Sequence, residues 1–143
     1  MRTSIITVST LLILVVGCGP TPQVVEFKAK VKTYTEESRA FAKLLETGPS
    51  RAQVNASADK LMDLYTHIPR APGELKSAAE ISRNVEELKS QVSSCPELIR
   101  RWFEFSGYTL DSGKAFKKIN ERYEQRIVDI RKTCDDIEAA LAK

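Results

Sequence analysis

Phe116 to Leu141 reads FKKINERYEQRIVDIRKTCDDIEAAL. Phe116, Ile119, Tyr123, Ile127, Ile130, Cys134, Ile137 and Leu141 recur at alternating steps of three and four, with charged residues between them. Such spacing puts every apolar side chain on one stripe of a long α-helix that faces a core. A strand would alternate every second residue, and this segment does not. The same spacing appears upstream. Val24, Phe27, Val31, Tyr34, Ser38, Phe41 and Leu45 make a first stripe. Gly48 suits the end of that helix, and Pro49 prevents its continuation. Ser50 with Gln53 forms a capping box that opens a second helix, carrying Val54, Ala58, Leu61, Tyr65 and Ile68. Pro69 to Gly73 breaks the chain. A third stripe runs through Ala78, Ile81, Val85, Leu88, Val92 and Cys95. The expectation is an all-α bundle of about four main helices, with a short extra helix possible at 97–105.

Cys95-Pro96-Glu97 can be read in two ways. Proline in the first turn, followed by an acid, marks a helix start. Yet Ile99, Trp102 and Phe105 continue the third stripe in phase. If that helix runs on to Phe105 and turns back near 106–111, Cys95 and Cys134 lie ~18 Å apart along the axis, too far to bridge. If the chain breaks at Pro96 and descends, the last helix rises beside the third and the two cysteines are level. We expect the second arrangement, with a Cys95–Cys134 disulfide closing a loop of about 40 residues.

The N-terminus carries another signal. Arg2 is followed by an apolar run from Ile5 to Val16, then Gly17 and Cys18. The run is short for a bilayer-spanning helix, which needs ~20 apolar residues. Leu14-Val15-Val16-Gly17-Cys18 resembles the lipobox of bacterial lipoprotein signal peptides. The resemblance covers residues 1–18 only. It implies that 1–17 are removed and that Cys18 becomes the acylated first residue. The bilayer would then be a partner through the Cys18 acyl chains, two or three of which hold firmly where one does not. Gly19 in place of aspartate, by the same resemblance, implies the outer membrane facing the periplasm if the cell has two membranes. Otherwise the protein would sit on the outer face of the cytoplasmic membrane. Residues 18–22 form a short lipidated tether of at most ~17 Å, and 23–143 form one helical domain.

Charge and motifs exclude much else. The net charge is +3 and loses one with Arg2, too little for a nucleic-acid footprint. The single histidine, His67, has Asp63 one turn earlier, but two ligands do not make a zinc site, and none is expected. No catalytic residue, metal or cofactor is expected. The chain lacks C-x-x-C, C-x-x-C-H, H-E-x-x-H, a nucleophile elbow and a phosphate loop.

One local concentration remains, Arg100-Arg101-Trp102-Phe103-Glu104-Phe105-Ser106-Gly107-Tyr108. Trp102 and Phe105 belong to the core stripe, whereas Phe103 is one step off it. Arginine, tryptophan and tyrosine dominate binding hot spots. Arg100, Arg101, Trp102, Phe103 and Tyr108 are therefore candidate contacts for a protein partner. The function expected is a non-enzymatic binding or adaptor lipoprotein of the cell envelope. The alternatives are a structural, self-associating module or, least of all, an enzyme.

Overall fold

A computed structural model describes residues 19–107 and 113–143. The architecture is all-α, with no strand among the described residues. Five helices follow in order: α1 (Pro22–Glu46), α2 (Arg51–Thr66), α3 (Ala78–Ser93), α4 (Cys95–Ser106) and α5 (Gly113–Leu141). Among the described residues, no helix is long and apolar enough to cross a membrane. Cys18 lies outside the described residues.

Local chemistry explains the helix ends. Thr21 caps α1, its hydroxyl accepting from the Val24 amide, and Pro22 occupies the first turn, where its missing N–H costs nothing. Beyond Thr47 the chain reverses through Gly48 at φ +66°, a left-handed conformation that only glycine adopts without penalty. The Ser50–Gln53 capping box opens α2: the Gln53 amide donates to Ser50 Oγ at 3.3 Å, and the Ser50 amide donates to Gln53 Oε1 at 2.8 Å.

One core joins all five helices. All seven stripe positions of α1, from Val24 to Leu45, are buried. They meet Val54, Ala58 and Leu61 of α2 and Ile81, Val85, Leu88 and Val92 of α3. From α5 come Ile127, Ile130, Cys134, Ile137 and Ala140. The N-terminal part of the α5 stripe is different: Phe116, Ile119 and Tyr123 are only partly buried.

The chain runs through Pro96 without reversing. Ser94 stays helical at φ −83°, ψ −15°, and i to i−4 hydrogen bonds flank it on both sides, Ser94 N to Ser90 O at 3.3 Å and Leu98 N to Ser94 O at 3.2 Å. Proline only withholds the donor that would have reached back one turn. Thus α3 and α4 together lie antiparallel to α5. Lys143 pairs with Glu80, Gln91 Nε2 donates to Thr133 Oγ1 at 3.0 Å, and Trp102 Nε1 donates to Asn120 Oδ1 at 3.2 Å. The sequence separation of these pairs falls from 63 to 42 to 18, as a hairpin requires.

This register corrects the expected disulfide. Cys95 and Cys134 are free, buried thiols. The Cys95 thiol donates to Gln91 O at 3.3 Å and is influenced by Arg126. The Cys134 thiol donates to Thr35 O of α1 at 3.7 Å. Gln91, one turn before Cys95, meets Thr133, the neighbour of Cys134, so Cys95 lies about a turn further toward the hairpin than Cys134, and the Cys134 thiol faces α1 instead. The helix-start signal at Pro96 was real, but it does not fix the direction that the new helix takes.

Candidate partner-binding groove

The two ends of the bundle differ. At one end the chain enters beside the α2–α3 loop and the C-terminus: Thr21 Oγ1 donates to Glu74 Oε2 at 2.9 Å, and Lys28 Nζ donates to Leu141 O at 3.0 Å. At the other end α1 and α2 stop at the 47–50 turn, while α4 and α5 run on past it. Tyr123 is the last tie, its hydroxyl donating to the Leu45 carbonyl. The ten residues of α5 before Tyr123 extend about 15 Å beyond that tie.

The step leaves a groove of about 490 Å³ between the α1–α2 turn, α4 and α5. Leu45, Pro49, Ile99, Trp102, Ile127 and Val128 supply its apolar lining. Trp102 stacks on Tyr123 at 6.2 Å and 28°, and lies 6.1 Å from Phe116. Phe103 meets the Trp102 ring edge-on at 5.2 Å and is itself 42% exposed. Val128 is 56% exposed. Besides Val25 near the chain's entry, these two are the large apolar side chains most open to solvent among the described residues.

Polar groups are arranged around the aromatic floor. Trp102 Nε1 donates to Asn120 Oδ1, and Asn120 Nδ2 donates to Glu124 Oε1 at 2.9 Å. This relay fixes the Glu124 carboxylate at the groove. Glu46, on the opposite rim, pairs with Arg131 at 2.6 Å, and that hydrogen bond lowers the Glu46 pKa from the ordinary carboxylate value. Burial pushes the Tyr123 phenol up to about 12, with Cys95 and Glu46 adding to it, so its proton stays in place for the bond to Leu45.

The arginines singled out in the sequence are engaged within their own helix. Arg100 donates through Nε and Nη2 to Glu97 at 2.8 and 2.7 Å, and also binds Glu104. Arg101 Nε donates to Glu97 at 2.8 Å. Hydrogen bonds from Arg100 and Arg101 hold the Glu97 pKa down at about 2, and the Arg100 pKa rises in turn. Trp102 is thus in the groove, Phe103 beside it, and the two arginines form a neutralised network on the outer side of α4. Tyr108 lies outside the described residues.

Asn120, Glu124, Val128, Leu45 and Pro49 were not foreseen as site residues, because three segments distant in sequence build the groove. The available signal was Val128, an apolar residue on the charged side of α5 next to the stripe.

Other chemistry-bearing groups are accounted for nearby. His67 Nδ1 lies 2.7 Å from the Asp63 carbonyl at the end of α2. Among the described residues no three His, Cys, Asp or Glu side chains converge as a metal site would require. In a smaller cleft of about 320 Å³ beside the α2–α3 loop, Tyr65 is bonded to Glu86, and Lys89 lies over the Tyr65 ring at 4.2 Å. In comparisons with known proteins, no family model, curated protein or solved structure matches this chain.

Proposed function

We propose that this chain is a lipid-anchored envelope lipoprotein whose helical domain is a non-enzymatic binding module for a protein partner. The lipobox-like segment ending at Cys18 supports the anchor. The observation that carries the binding reading is the groove at the end of the bundle away from the chain's entry. A bundle meant only to be stable would cover the Trp102–Tyr123 stripe, as it covers the stripe from Ile127 onward. Helix α1 is 25 residues long, or about 37 Å, so an anchor at Cys18 would hold the groove well clear of the bilayer. Half-buried aromatics in a pocket are the usual anchors of an interface.

Paired photocrosslinking in cells tests this. A crosslinking residue at Phe103 should give a discrete adduct with another protein, and one at Val25, still more exposed at the opposite end, should not. Adducts from neither position, or from both alike, would defeat the binding reading. The anchor is tested separately. Cys18→Ser should accumulate a slower-migrating precursor, whereas normal processing of that variant would remove the lipoprotein assignment.

A further inference from the structure

The shape and charge of the groove narrow the class of partner, an inference that rests on the binding reading above and deepens it. The groove follows α5 from Asn120 to Arg131, about 17 Å of axis. Its long walls are the faces of α4 and α5, and the α1–α2 turn closes one end. The space is the continuation of the line that α1 and α2 vacate. Packed helices lie 8–10 Å apart, so a third helix fits where an extended strand would find no sheet edge to pair with.

Charge decides the sign. The groove lining holds two carboxylates, Glu46 and Glu124, against one guanidinium, Arg131. Arg131 is already taken by Glu46. Among the described residues Glu124 has no cation partner, and its hydrogen bond comes from a neutral amide that the groove's own Trp102 holds in place. An exposed carboxylate can be left to water, but this one is oriented beside an apolar floor. Lys117, on the Glu124 face of α5, pairs with Glu121 at 3.9 Å. Lys118 and Arg122 have no ion pair among the described residues, and their positions on α5 put them on the side away from the groove, where solvent and salt screen them.

We infer that the groove takes a basic amphipathic helix of a partner protein, its apolar residues against Trp102, Ile127 and Val128 and a lysine or arginine on Glu124. Apolar area supplies the affinity, and the Glu124 contact supplies the choice of sign.

Trp102 is the only tryptophan in the chain, so its fluorescence in the full-length protein reads the groove directly. The probes are a helical peptide of about 16 residues with a leucine stripe flanked by lysines, and the same peptide with every lysine replaced by glutamate. The lysine peptide should give a saturable change in Trp102 emission, about tenfold tighter than the glutamate peptide. Glu124→Gln should remove most of that preference. Val128→Asn should weaken the lysine peptide strongly, and Val25→Asn, at the far end, should leave it unchanged. Equal binding of the two peptides would overturn the inferred sign while leaving the groove as an apolar docking site. Binding of neither would overturn the groove as the docking surface, whatever Phe103 captures in cells. A small lipophilic cation, dodecyltrimethylammonium, matching the lysine peptide would overturn the helix in favour of a small-molecule cation site.

Discussion

The two halves of α5 carry the same apolar spacing and end in different states. From Ile127 to Ala140 the stripe is buried against α1 and α3. From Phe116 to Tyr123 it is half-covered, by Trp102 of α4 and, at Tyr123 only, by the end of α1, so that solvent reaches the aromatic cluster. Periodicity specifies a face to be covered, but not what covers it. In the first half the covering is complete within the chain. In the second it stops at the α1–α2 turn, and the groove lies across that border, with Glu124, the exposed Val128 and, on α4, Phe103 around it.

Removing side chains from each half gives the largest expected contrast. Ile130 is fully buried, and Ile130→Ala should destabilise the fold by about 2–5 kcal/mol. Phe116→Ala deletes a larger side chain but from a half-open site, and should cost only about 1–2 kcal/mol. Paired denaturant melts would check this. An equal or greater loss at Phe116 would mean that the tip is part of the stabilising core, and the contrast would be gone.

The thiols sharpen the same comparison, since Cys134 belongs to the closed half and Cys95 to the border. Neither should react in the native state, because both are buried and burial pushes each pKa up to about 12. Alkylation in denaturant without reductant should label both, and reductant should not move the Tm. A cross-linked peptide containing Cys95 and Cys134 would contradict the hairpin register.

This is also the place where sequence reading fell short. The α1 stripe, the Ser50–Gln53 box, the Gly48 reversal and the all-α class were legible because each is local. The direction of α4 was not. Pro96 announces a first turn, but Ser94 keeps helical angles, and whether the chain bends there depends on packing against α5. Phe103 was legible as off-stripe from its register alone. Glu124 was not legible as part of a site, because a lone glutamate on a charged helix gains meaning only when Trp102 and Asn120 are brought beside it.

The smallest effect concerns Glu97 at the start of α4. Its carboxylate is held at about 2 by Arg100 and Arg101, below the ordinary 4.5. A depressed carboxylate stabilises the fold above its unfolded pKa, and that contribution fades as pH falls from about 4.5 through about 2. The site is fully exposed, so the effect on stability should be slight and weakened by salt. A carboxyl NMR titration should give a Glu97 midpoint near 2, rising in Arg100→Ala. A midpoint near 4.5 would mean that the arginines are not tied to Glu97 and are free to meet a partner.

Native-state hydrogen exchange along α5 of the full-length protein tests the central claim most directly. Amides from Ile127 to Ala140 should exchange only through global unfolding, at the full stability measured by denaturant. Those from Phe116 to Tyr123 should exchange through local opening at a markedly lower free energy, and should slow when the lysine peptide is bound. Uniform protection across the whole helix in the free protein would contradict the account, because the tip would then be a finished part of the core with nothing left to cover.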